Sequence, residues 1–117
     1  MVLFDRTEFD ALLGQLPGVT LVDQWDARIA KVGGKVFCLL SDQPPLRLVF
    51  KCGEASFDIL TALDDIKQAA YFAKRQWVSV QQGAPLSQDD LMAYIARSHA
   101  LIAAGLTKKL RAELGIA

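Results

Sequence analysis

At 117 residues the chain is about the modal length of one domain, and its 52% hydrophobic content is ample for one core. Thirteen Lys plus Arg against thirteen Asp plus Glu exclude a large net field drawing the chain to DNA or anionic lipid, so any polyanion site has to be local. The N-terminus meets Asp5, Arg6 and Glu8 before a signal core could form, and no apolar run approaches the ~18 residues of a membrane span; a cytoplasmic location is the expectation.

Phe9, Leu12, Leu13 and Leu16 recur at helical spacing, and Asp5 with Glu8 forms a capping pair ahead of them, which predicts a first amphipathic helix. Pro17-Gly18 stops it, and residues 19–25 read as a strand. A turn at Asp26-Ala27 leads into a second strand over 28–32. Gly33-Gly34 then supplies the positive φ of a two-residue hairpin, opening a third strand over 35–41. Asp42 to Pro45 form the next connection, and Pro45 lets a fourth strand start over 46–52 without losing a mid-ladder donor. A helix over 54–63 follows, with Phe57, Leu60 and Leu63 inward, then a less regular stretch, 64–75. Residues 76–82 alternate as a fifth strand. Ser87 caps a long helix over 88–104 with Asp89 and Asp90 in its first turn, where the macrodipole favours them, and Gly105 separates it from a short basic helix over 106–114.

Alternation divides the sheet into two faces. Pairing across Gly33-Gly34 sets Val32 opposite Lys35 and Ala30 opposite Phe37, and the Asp42–Pro45 turn sets Leu39 opposite Leu48 and Phe37 opposite Phe50. One face is then Ala30, Val32, Phe37, Leu39, Leu46, Leu48 and Phe50, which reads as core. Ile29, Lys31, Val36, Cys38, Leu40, Arg47, Val49 and Lys51 fall on the other, joined by Trp77, Ser79 and Gln81 from the fifth strand. The fold class is thus α+β: a two-layer domain with an antiparallel sheet of about five strands, helices on one face and the other face open. The same register sets Cys38 and Cys52 about three residues out of alignment, roughly 10 Å along the strands and beyond the reach of a disulfide, so both are expected as buried free thiols.

Several segments together resemble the MmcQ/YjbR family, small proteins of frataxin-like (CyaY-like) fold described as DNA-binding with a double-wing motif. They are "LPGV" after the first helix, "KVGGKVF" at the hairpin, "FKC" with Glu54, "AAYFAK" before "QWVSV", and "SHALIAAGL" in the long helix. The order and spacing of these pieces carry the resemblance over nearly the whole chain, 1–117, read as one domain. It implies the fold and a DNA-binding role, with the hairpins at Gly33-Gly34 and around Asp42 to Pro45 as the two wings.

Residues 1–30 carry two cations and five anions, residues 31–75 seven and five, and residues 76–117 four and three. The cationic excess thus begins at the second strand. Lys31, Lys35, Arg47 and Lys51 are the candidate phosphate contacts, Lys74 and Arg75 would extend the track, and Trp77 would supply a stacking contact. Binding of DNA on this surface would be weak, non-specific and salt-sensitive. The alternative is docking of a protein partner on the same face, with Val36, Leu40, Val49 and Trp77 as its apolar anchor. An enzyme is not expected, because no acid, base and nucleophile come together. His99 reads as a hydrogen-bonded packing residue, and adjacent Ser98 points away from it. The glycine pair before Lys35 lacks the frame of a phosphate loop. Asp64-Asp65 and Asp89-Asp90 read as helix-start caps, and Lys108, Lys109 and Arg111 as the solvated face of the last helix. No cofactor or metal is expected, and the chain is expected to be a monomer.

Overall fold

A computed structural model describes residues 2–116. A 3-10 turn, Val2–Phe4, precedes α1 (Arg6–Leu13), which starts where the Asp5 carboxylate accepts the N–H groups of Thr7 and Glu8. Then come β1 (Val19–Gln24), β2 (Ala27–Val32), β3 (Lys35–Ser41), β4 (Arg47–Lys51), α2 (Glu54–Thr61), β5 (Ile66–Gln68), β6 (Trp77–Gln81), α3 (Gln88–Ala103) and α4 (Lys108–Glu113). All six strands form one antiparallel sheet in the order β1-β2-β3-β4-β6-β5.

Five strands were legible and β5 was not: it is three residues long and pairs Ile66–Gln68 against Val78–Val80 of β6. The carboxylate pair before it does not cap a helix; Asp65 instead turns the chain into β5 at φ 64°. The first hairpin turn also lies one residue earlier than expected, with Trp25 and Asp26 as its central residues at φ 57° and 54°. At the second hairpin Gly33 and Gly34 do take positive φ, and a Cβ on Gly33 would stand 2.7 Å from Leu106, so this turn packs against the α3–α4 connection.

The helices gather on one face of the sheet. Phe9 and Leu13 of α1, Phe57 and Leu60 of α2, and Leu91 and Ile95 of α3 meet Ala30, Val32, Phe37, Cys38, Leu40, Leu48, Phe50, Val78 and Val80 in one apolar core. The register in β3 differs from expectation. Lys31 pairs with Val36 but Ala30 pairs with Cys38, so Phe37 is the extra residue of a β-bulge. Beyond it the pairs are Leu39 with Val49 and Cys38 with Phe50. The bulge sends both Phe37 and Cys38 into the core and exchanges Leu39 and Leu40 between the faces. β4 is unaffected, because Leu48 and Phe50 alone fix its inward side.

Where the next rung of the β3–β4 ladder would fall, the Ser98 hydroxyl stands between the strands. It accepts the Lys51 N–H at 2.9 Å and donates to the Phe37 carbonyl at 2.6 Å. The strands part at the bulge, and α3 closes the gap with its own side chain. Beside Ser98, His99 donates its Nε2 proton to the Pro17 carbonyl at 2.8 Å and meets Phe37 edge-on, as a packing histidine. Cys38 and Cys52 are both buried free thiols whose pKa values burial pushes up. No described helix is long and apolar enough to cross a membrane.

Candidate nucleic-acid interface

The face away from the helix core is built from alternate residues of six strands. Its strand positions are Thr20, Val22 and Gln24; Ala27, Ile29 and Lys31; Val36, Leu39 and Ser41; Arg47, Val49 and Lys51; Lys67; and Trp77, Ser79 and Gln81. Four of these, Lys31, Arg47, Lys51 and Lys67, are cations and none is a carboxylate. Among the described residues, no carboxylate lies within ion-pair distance of any of the four; the ion pairs use Arg6, Arg28 and Arg75 instead. Acids stand only at the rim, as Asp26, Asp42 and Asp65 in turns.

The expected cation track divides. Lys31 sits half-buried opposite Val36, Arg47 exposed opposite Gln81, and Lys51 half-buried opposite Trp77, so these three do share the open face. Lys35 does not. It pairs with core-facing Val32, and its Nζ lies 3.9 Å from where a Cβ on Gly105 would stand, beside the C-terminal end of α3, where a cation answers the helix dipole. Arg75 is also drawn away. Its guanidinium holds Asp58 at 2.9 Å and lies over the Phe57 ring, both on α2. Lys74 is exposed in the loop before β6.

Trp77 is the main correction. It lies on the expected face but is only 7% exposed, because the β5–β6 connection folds back and stacks Phe72 on it with ring centroids 4.3 Å apart. Val49, Ala69 and Trp77 form a second small core there, with Leu39, Phe72 and Ile102 packed around it. Trp77 therefore stabilises the sheet face and offers no ring to a ligand. The apolar anchor suggested for a protein partner loses Trp77 for this reason, and loses Leu40 to the bulge.

Two other aromatic residues take the exposed role, and sequence reading singled out neither. Trp25, in the β1–β2 turn, is 63% exposed, and Tyr71, in the β5–β6 connection, is fully exposed. Both line a trough of about 930 Å³ on the open face. Leu39, Val49 and Ser79 lie along its floor, with Arg47 and Lys67 beside them. The β1–β2 turn, Gln43 and Pro44, and Ala70 to Phe72 form its walls. Asp26 and Asp65 also line it. The hairpin that carries this wall is anchored from the opposite side of the sheet. Arg28 grips Asp10 of α1 through two bonds of 2.9 and 3.0 Å, an attraction that pushes its pKa up, and Arg6 beside Asp23 holds that carboxyl below its usual range.

Comparison with known proteins agrees with this architecture. No curated protein matches the chain. Among solved structures, the Deinococcus radiodurans protein DR2400, a DUF419 domain, superposes with a TM-score of 0.83 at 23% identity, covering 95% of this chain and 88% of that one. A Pseudomonas syringae protein superposes with a TM-score of 0.69 at 18% identity, over 83% of this chain and 97% of that one. At such identities these likenesses speak for the fold. The YjbR family model matches residues 14–101, a span that holds every strand of the open face together with most of α3, and on that match the chain belongs to the YjbR family.

Proposed function

We propose that the open sheet face binds DNA weakly and without sequence readout. The observation that carries this reading is the sorting of charge. A chain of zero formal charge places Lys31, Arg47, Lys51 and Lys67 on one sheet face, unpaired among the described residues and with no carboxylate at any strand position of that face. Antiparallel sheets often keep a half-polar outer face for solubility, but such faces usually mix both signs. Four cations neutralise about four phosphates. That predicts a slope of roughly −3 in log K against log salt for a single strand and about −4 for a duplex. Asp26, Asp42 and Asp65 at the rim hold the affinity down.

The test is binding of a labelled DNA oligonucleotide at two low salt concentrations, comparing wild type with Lys31→Glu/Lys51→Glu and with Lys108→Glu/Lys109→Glu on α4. The face variant is expected to lose about tenfold or more, and the α4 variant to keep its affinity. Equal loss in both variants, or none in the first, refutes the reading.

A second reading, docking of a protein segment, draws on the trough. Its lining balances Arg47 and Lys67 with Asp26 and Asp65 around an apolar floor, a mixture that suits a polypeptide. It predicts partner binding that changes little with salt and that is lost on Leu39→Asp.

A further inference from the structure

We infer that the ligand of the trough is single-stranded DNA, its bases stacked on Tyr71 and Trp25 and its phosphates held by Arg47 and Lys67. This rests on the DNA reading above and specifies its form. Three described large hydrophobic side chains stand exposed, Trp25, Ile59 and Tyr71, and two of them stand over this one trough. Both hold backbone conformations that bulky residues rarely adopt, φ 57° and φ 71°. Such strain persists where the surrounding structure imposes it, and it gathers at ligand sites. Tyr71, fully exposed, gains the fold no packing, and Trp25, 63% exposed, gains it little.

The chemistry of the lining follows the parts of a single strand. Every unpaired base offers a π-face to an aromatic ring, so stacking holds a single strand whatever its sequence. Arg47 and Lys67 provide positive charge for the backbone, while the carboxylates of Asp26 and Asp65 suit the exocyclic amino groups of bases. A duplex buries its base faces in the stack and presents a stiff convex row of phosphates, which a trough walled by two turns and a loop does not match. The trough is open to solvent along its length, and its volume of about 930 Å³ gives room for a few nucleotides.

The test uses a labelled 12-nucleotide mixed-sequence DNA, its duplex and the RNA strand of the same sequence, with inorganic polyphosphate as a competitor that carries charge without bases. The single strand is expected to bind at least fivefold tighter than the duplex at equal salt, and polyphosphate to compete poorly. Tyr71→Ala and Trp25→Ala should each weaken the single strand about fivefold or more, with duplex binding unchanged, and Tyr71→Phe should keep wild-type affinity. Equal affinity for both DNA forms, RNA binding tenfold tighter than DNA, or an unaltered single-strand affinity in the double variant Trp25→Ala/Tyr71→Ala overturns the inference while leaving the DNA-binding face standing. Absence of salt-sensitive binding to any probe overturns both.

Discussion

Trp25 and Asp26 close the first hairpin as a consecutive pair at positive φ, a conformation that two-residue turns normally give to Asn, Asp and Gly. For Trp this costs roughly 1–2 kcal/mol, and the exposed indole recovers little of it by packing. Replacing the pair by Asn-Gly, Trp25→Asn/Asp26→Gly, is therefore expected to raise stability by about 1 kcal/mol in a denaturant titration while weakening oligonucleotide binding. Lower stability in that variant would mean that the indole is held for packing. The same residues show where sequence reading stops. A Trp-Asp turn carries no conventional signal, so the turn was expected one residue later. Tyr71 lay in a stretch without periodicity. Trp77 was rightly placed on the outer face by alternation, yet alternation says nothing about a loop that folds back, and Phe72 covers it.

At the scale of elements, most of the molecule was legible because its signals are local. The Asp5 and Ser87 caps, the Gly33-Gly34 hairpin and the alternation of β4 each depend on a few neighbouring residues, and each stands where expected. β5 is too short for a period to show. The bulge at Phe37 was invisible for a different reason: it is stabilised from outside the sheet, by a serine 61 residues away whose hydroxyl bridges the parted strands. Ser98→Ala removes the hydroxyl that bridges the buried Phe37 carbonyl and the half-buried Lys51 N–H. It is expected to lower stability by about 1–3 kcal/mol at unchanged m-value, with hydrogen exchange at the Lys51 amide accelerated. A change below 0.5 kcal/mol would mean that β3 and β4 simply close up without it.

Across the whole molecule, neutral net charge conceals a sorted one. Asp10 and Asp23 bind Arg28, Asp58 and Glu54 bind Arg75, and Asp89 and Asp90 occupy the first turn of α3, so much of the acid is engaged at or behind the helix layer. Four cations remain on the other side. Composition gave no hint of this, whereas strand alternation recovered three of the four; Lys67 was missed together with β5. The sorting also explains why weak binding is expected: the field is local, and rim carboxylates limit it. The decisive measurement is a titration of the 15N-labelled protein with a short DNA single strand, following amide shifts. The account predicts shifts concentrated on the sheet face, at Trp25, Lys31, Arg47, Lys51, Lys67, Tyr71 and Ser79, all fading as salt is raised. Shifts confined to Lys108, Lys109 and Arg111 on α4, with the sheet face silent, would contradict it.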